Sequence, residues 1–438
     1  MTNGVPARVA NILINALKGG VVPRVGLEYI TVGRAQEIAA ILRDTEMVAD
    51  GGASFRFIVG KYGSGKSFLL QTIRNYATAK GFAVVDADLS PERRFSGTKG
   101  QGLATYKELL HNLSTKSKPD GGALPLILEK WISGIQASVK IDTDLDGEAL
   151  NRQVEKQIYE VAGSLEGMVN GFEFAKAVVT YWRAYRHDDA VMKSRVLRWF
   201  RGEYATRRDA KAELDINFIV TDETWYDFLK IFAVFLVGAG YKGLIVLIDE
   251  LVNIFKIPNS ITRQNNYEKI LTIYNDVLQG KATHIGFLIS GTPQCIEDKY
   301  KGVFSYEALR SRLAEGHFSG GGLRDLSAPI IRLETLTQEE MYVLIEKLRD
   351  IHAQLYSYAP SLKHEDLLYF LTVEYNRVGA GTHITPREII RDFIELAGIL
   401  YQNQDKSVAD ILGSNSFEMA KGGLTDEDIH ADFLEFEL

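Results

Sequence analysis

Short apolar runs bounded by turn residues recur along the chain. Five of them read as buried strands: Phe55–Val59, Phe82–Asp86, Leu244–Ile248, Ile285–Ser290 and Ile330–Leu333. Helical spacing lies between them, over Ser67–Ala79, Trp225–Val237, Tyr267–Leu278 and Phe304–Leu313. Strands alternating with helices predict an α/β fold, a five-stranded parallel sheet covered by helices on both faces. One connection breaks the rhythm. Far more residues separate Asp86 from Leu244 than one crossover needs, and the stretch 117–219 is mostly helical in pattern with little proline. It is expected to be an α-helical insertion in the core.

Beyond the fifth strand the pattern turns helical. Thr337-Gln338-Glu339-Glu340 is a Ser/Thr-x-x-Glu capping box, and Thr385-Pro386-Arg387-Glu388 is a second with proline at the first helical position. At the N-terminus Val9, Ile12, Leu13 and Leu17 recur at helical spacing, interrupted by Asn11 and Asn15. This is a short amphipathic helix, not the apolar core of a secretory signal. The expected layout is an N-terminal helix and linker over 1–54, an α/β core over 55–334, a C-terminal helical lid over 335–403 and an acidic tail over 404–438. The tail from Asp426 to Leu438 mixes six carboxylates with Phe433, Leu434, Phe436 and Leu438. It reads equally as a docking segment or as frayed chain.

Composition narrows the class. A chain of 438 residues, divided by ~150 per domain, gives roughly three domains. The net charge of −7 argues against a dedicated DNA-coating protein, so any nucleic-acid contact must be a local patch. The single cysteine, Cys295, excludes an internal disulfide framework and any zinc site of several cysteines. No apolar run approaches the ~18 residues of a membrane span. A soluble cytoplasmic protein is expected.

The strongest chemical signal follows the first strand. Gly60-Lys61-Tyr62-Gly63-Ser64-Gly65-Lys66-Ser67 matches G-x-x-x-x-G-K-[ST] in full. The glycines let the backbone curl so that successive N–H groups face an anion, and the helix that follows adds the positive end of its dipole. Lys66 is placed to reach the β- and γ-phosphates of ATP, and Ser67 to give a hydroxyl to Mg²⁺. Phe68, the next residue, completes the binding segment. A chance glycine-rich turn is the bland alternative, but strand, full motif and helix stand here in the required order.

The second signal is Leu244-Ile245-Val246-Leu247-Ile248-Asp249-Glu250, an apolar strand ending in two carboxylates. A carboxylate there is costly unless neutralised, and nucleotide-bound magnesium would neutralise it. Asp249 is the expected magnesium partner, through water. Glu250 is placed to orient and activate the attacking water. An ordinary strand cap is the alternative. Ras-like switches lack such an adjacent glutamate, so the pair points to built-in hydrolysis.

The run of elements resembles the AAA+ ATPases, P-loop NTPases of the ASCE class, which place an extra strand between the P-loop strand and the acidic strand. The resemblance implies further roles. Ser290 or Thr292, at the end of the fourth strand, would be the first sensor, though strand-end hydroxyls are common. Arg310 or Arg312 would be the arginine finger aimed at a neighbouring subunit, worth ~10³–10⁵ in rate; either could instead be a surface charge. Arg387 would be the second sensor, since a cation in the first turn of a helix opposes the dipole unless it faces phosphate. Gly33 and Arg34, in Val32-Gly33-Arg34, would pack on the adenine side.

A narrower resemblance rests on longer strings: Gly26-Leu27-Glu28-Tyr29-Ile30-Thr31-Val32-Gly33-Arg34, Phe57-Ile58-Val59-Gly60, Tyr241-Lys242-Gly243, Ser290-Gly291-Thr292-Pro293, Tyr306-Glu307-Ala308-Leu309-Arg310-Ser311-Arg312-Leu313, and Ile384-Thr385-Pro386-Arg387-Glu388-Ile389-Ile390-Arg391-Asp392-Phe393. These resemble the BREX ATP-binding proteins of the BrxC/BrxD family, across nearly the whole chain and with the length of its shorter, BrxD branch. The resemblance implies a place in prokaryotic anti-phage islands, beside a helicase or methyltransferase.

The insertion carries a candidate nucleic-acid surface. From Arg183 to Lys211 nine Lys or Arg face four acids, and Trp182, Tyr185, Trp199, Phe200 and Tyr204 are interleaved. The cations would neutralise phosphates and the aromatics stack on bases. The competing reading of 182–211 is an amphipathic insertion with its aromatics in the core. About 35 residues follow the lid, too few for a winged helix, so an origin-type DNA reader is not expected. Three functions compete: an assembling homo-oligomeric ATPase that couples hydrolysis to work on DNA or a DNA-processing partner, a slow nucleotide switch or scaffold that recruits an effector, and a purely structural ATP-binding subunit, against which Glu250 argues.

Overall fold

The computed structural model describes residues 4–143, 145–163, 171–313, 324–360, 362–376 and 385–413. The chain forms two compact units, one of Ala39–Val59 and Tyr76–Ile331, the other of Met1–Ile38, Gly60–Asn75 and Arg332–Leu438.

The first unit is built on the sheet. Its strands are β1 (Ala53–Val59), β2 (Ala83–Asp88), β3 (Leu244–Asp249), β4 (Ile285–Gly291) and β5 (Ile330–Arg332), in the order β2-β3-β4-β1-β5. All five lie where the apolar runs place them. β2 pairs with β3, β3 with β4 and β4 with β1, each in parallel. At the far edge the Phe57 amide donates to the Pro329 carbonyl, 2.8 Å away, beside β5. Every residue of β3 is buried, the pattern of a central parallel strand covered on both faces.

Two helices of this unit differ from their sequence reading. The helix read as Tyr267–Leu278 begins at Ser260, capped by the Asn259 side chain on the Thr262 amide. Its first turns turn polar residues inward. Asn266 is fully buried and accepts from the amides of Phe95 and Ser96 at 2.9 Å each, while buried Arg263 donates to the Ile257 carbonyl. A hydrophobic pattern cannot register a buried face made of polar residues. The helix read as Phe304–Leu313 is broken: a 3₁₀ turn covers Val303–Ser305, Tyr306 is extended, and Glu307–Leu313 is helical.

The insertion is helical, over Leu124–Thr143, Gly147–Gly163, Gly171–Arg186, Ala190–Phe200 and Arg207–Leu214. It shares one continuous apolar core with the sheet. Phe174 packs on Phe200, Phe228 and Phe235, and Trp199 meets Phe200 and Phe228 edge-on. The stacking part of the nucleic-acid reading needs correction here. Trp182, Trp199, Phe200 and Tyr204 are buried, so they are core residues and offer no face to a base. Tyr185 alone of the five is partly exposed. Arg183 pairs with Glu155, Arg186 with Glu148, Lys193 with Asp188, and Lys211 with Asp215. Arg195 and Arg198 share Glu213.

The second unit is helical around its own apolar cluster, which includes Leu13, Leu17, Leu344, Leu348, Phe370, Phe393 and Leu396. Its main helices are Ala7–Lys18, Gln338–Leu355, His364–Tyr375 and Pro386–Gln402. Both expected capping boxes form: Thr337 with Glu340, and Thr385 with Glu388. The N-terminal helix is rotated from its reading. Ala10, Leu13, Ile14 and Leu17 are buried, whereas Ile12 faces outward. The acidic segment Asp426–Leu438 lies outside the described residues. Among the described residues no helix is long and apolar enough to cross a membrane.

The insertion core yields a stability prediction. Trp199 is buried, and its indole N–H donates to the Phe218 carbonyl at 2.7 Å. Trp199→Ala is expected to cost about 3–5 kcal/mol in denaturant unfolding, through the cavity and the orphaned carbonyl. A loss below about 1 kcal/mol would contradict this packing.

Candidate functional site

The glycine-rich loop belongs to the helical unit. Gly63 and Gly65 adopt left-handed backbone angles, φ 76° and 86°, which glycine alone takes without strain. The helix Lys66–Ala79 starts directly after them, its Leu69 amide returning to the Gly65 carbonyl at 2.8 Å. A Cβ at Gly65 would meet no heavy atom within 4 Å, so open space fronts the loop there. A Cβ at Gly63 would stand 2.9 Å from Thr385 Cβ, so the loop backbone abuts the capped start of Pro386–Gln402. A Cβ at Gly60 would stand 2.9 Å from the Leu333 carbonyl. Left-handed glycines, a helix start and a lysine form a set that fits a polyphosphate.

Lys66 arches over its own loop. Its Nζ donates to the carbonyls of Gly60 at 2.9 Å and Lys61 at 3.0 Å, and it lies 5.4 Å from the Tyr62 ring centre. Lys61 and Tyr62 are exposed, Ser64 is buried, and Ser67 is half-buried. Phe68 packs on the apolar cluster of the helical unit. Arg34 is buried, and its guanidinium donates to the Ser64 carbonyl at 2.9 Å and to the Glu334 carbonyl. Arg387 is exposed in the first turn of its helix, its Cδ 3.6 Å from where a Cβ at Gly20 would sit.

The acid pair belongs to the sheet unit, at the carboxyl ends of the strands. Asp249 is buried. It accepts from the Ser290 hydroxyl and, at 2.8 Å, from the backbone amide of Glu250. Of the two strand-end hydroxyls only Ser290 meets the acid pair. Thr292 occupies the N-cap position of the short helix Pro293–Glu297 without a side-chain cap bond, and its hydroxyl lies 3.0 Å from the Cys295 sulfur. Glu250 is exposed and left-handed, φ 62°. Non-glycine residues rarely take this conformation, and holding it costs on the order of 1–3 kcal/mol. The Asn253 amide donates to the Glu250 carbonyl at 3.0 Å, and its side chain donates to Leu89 O at 2.9 Å. Asn253 therefore ties the Glu250 turn to the end of β2, a link the local sequence did not announce.

Asp88 stands directly opposite Asp249 in the ladder. Lost hydration, then the charges of Asp249 and Asp86, raise its pKa above the usual carboxylate value, against the pull of Arg93. Crowded carboxylates of this kind are the setting in which a cation is favourable. Arg310 pairs with Glu307 one turn back, and Arg312 donates to the Ala308 carbonyl at 2.7 Å. Both are thus engaged with their own helix.

The left-handed turn can be tested without nucleotide. Glu250→Gly is expected to unfold at a denaturant concentration no lower than the wild type, because glycine takes φ 62° freely. Glu250→Val should lose about 1–2 kcal/mol, because a β-branched residue is an outlier there. Equal stability of the two variants would mean that the turn is not left-handed in solution.

A family model described as BREX system ATP-binding protein BrxC/D matches residues 5–416. The matched span holds both the Gly60–Ser67 loop and the Asp249-Glu250 pair, and the match does not separate the BrxC and BrxD branches. No curated protein matches the chain. With nearly its whole length inside that match, the chain belongs to the BREX system ATP-binding protein BrxC/D family.

Proposed function

We propose that this protein is a magnesium-dependent ATPase of the AAA+ kind that serves prokaryotic anti-phage defence with DNA or a DNA-processing partner. The observation that carries the reading is the loop itself: two left-handed glycines, then Lys66 opening a helix with clear space before Gly65. The sheet order β2-β3-β4-β1-β5 supports the AAA+ assignment, because β4 stands between the strand that feeds the loop and the strand that carries the acids.

Each residue has a proposed task. The loop amides and Lys66 bind and orient the phosphates. Ser67 and Asp249 would hold Mg²⁺, which when bound supplies charge neutralisation at the phosphates. Glu250 orients a water and accepts its proton. Ser290, joined to Asp249, is the favoured first sensor, and Arg387 the second. Arg310, half-buried, and Arg312, exposed, would act on a neighbouring subunit, so the active form is proposed to be a homo-oligomer.

A DNA contact through 182–211 is kept in altered form. Arg201 is half-buried at the end of Ala190–Phe200, and Arg207 and Arg208 are exposed at the start of the next insertion helix, Arg207–Leu214. They favour contact with phosphates and not with bases, and a helicase or methyltransferase partner is proposed from the family resemblance. A cytoplasmic location accords with this role.

The test is ATP turnover across a protein concentration series, with and without single- and double-stranded DNA. Turnover per chain is expected to rise with concentration and with DNA, and to fall at least about 10²-fold in Glu250→Gln. Negligible turnover at every concentration, despite tight ATP binding, would replace the motor reading with the slow switch.

A further inference from the structure

We infer that Arg34 is a positioning residue for the phosphate loop, held in place by a strap that the helical unit itself anchors. The inference rests on the proposal that Gly60–Ser67 binds ATP and departs from the adenine-side role expected of Arg34.

The reason begins in the loop. A backbone that aims its amides inward at phosphate must aim carbonyls outward. Ser64 is buried, so its carbonyl has little access to water. Left unpaired, such a group costs about 1–3 kcal/mol. The Arg34 guanidinium answers it at 2.9 Å, and the same Nη2 reaches the Glu334 carbonyl just beyond β5. Its Nη1 lies 3.7 Å from Glu37, one turn along the following helix and also buried. One planar fork thus joins three chain segments, and a lysine has no such fork.

The strap that carries Arg34 is fixed separately. Lys347, on Gln338–Leu355, donates to the Thr31 carbonyl at 2.9 Å. Gly33 is left-handed, φ 70°, and a Cβ there would collide with the Glu340 carboxylate of the capping box on the same helix. Residues 31–34 therefore run from the lid helix to the outer side of the phosphate loop. Arg34 acts through the Ser64 carbonyl, on the loop's shape, and touches no reacting atom.

This assignment separates cleanly from a base contact. Inorganic tripolyphosphate presents the phosphate chain without a base. For Arg34→Lys, calorimetry is expected to show ATP and tripolyphosphate weakened by the same factor, about tenfold or more. Steady-state kinetics should show a rise in KM far larger than any fall in kcat. Lys347→Met keeps the fork and loosens the strap, and should weaken both ligands equally by about threefold, within the range of one hydrogen bond. If Arg34→Lys does not fold, Lys347→Met decides.

Loss of ATP affinity with tripolyphosphate affinity intact would overturn the inference in favour of a base contact. A lowered melting temperature with both affinities unchanged would overturn it in favour of a purely structural role. Wild-type protein and Lys66→Ala run as controls. If the wild type binds neither ligand, or Lys66→Ala binds both as well as the wild type, it is the nucleotide site itself that fails.

Discussion

A loop that turns its amides toward an anion has to turn its carbonyls the other way, and those carbonyls need donors. This constraint organises the helical unit. Arg34 supplies the buried Ser64 carbonyl, Lys66 caps the carbonyls of Gly60 and Lys61, and the close approach of Gly63 to Thr385 admits no side chain. The helices are capped and packed so that these groups meet. Thr337 and Thr385 close capping boxes beside Gly33 and Gly63 respectively. Each box satisfies two helix-end amides, and each leaves its glycine no room for a methyl group.

The sheet unit solves a different electrostatic problem. Asp249 ends a wholly buried strand, where an uncompensated charge would be expensive. The Ser290 hydroxyl and the Glu250 amide compensate in part. Accepting its own neighbour's amide goes with the left-handed turn at Glu250, and Asn253 fastens that turn to Leu89. Backbone strain held at a single glutamate beside a buried aspartate is typical of positions kept for chemistry. Proton affinity at Asp88 is raised by lost hydration first and then by the charges of Asp249 and Asp86.

Much of this was legible in the sequence because its causes are local. Continuous apolar runs give the five strands, glycine spacing gives the loop, and Thr-x-x-Glu gives both capped helices. The rest depended on burial or on distant partners. Arg34 was readable as a motif residue, but its acceptors lie 30 and 300 positions away, and only folding brings them together. Arg263 and Asn266 hid the start of their helix because polar residues face the core there. In the insertion, alternating aromatics and cations describe a base-stacking surface and an amphipathic core equally well. Burial of Trp182, Trp199, Phe200 and Tyr204 decides for the core.

Phosphate binding by Gly60–Ser67 is the claim from which catalysis, magnesium and the role of Arg34 all descend. It is tested most directly by titrating the full chain with ATP and Mg²⁺ in a calorimeter, beside Lys66→Ala. The wild type should bind one ATP per chain, and the variant should bind at least about tenfold more weakly, the loss of one charge-assisted contact. Equal affinity in the two proteins would contradict the account at its root.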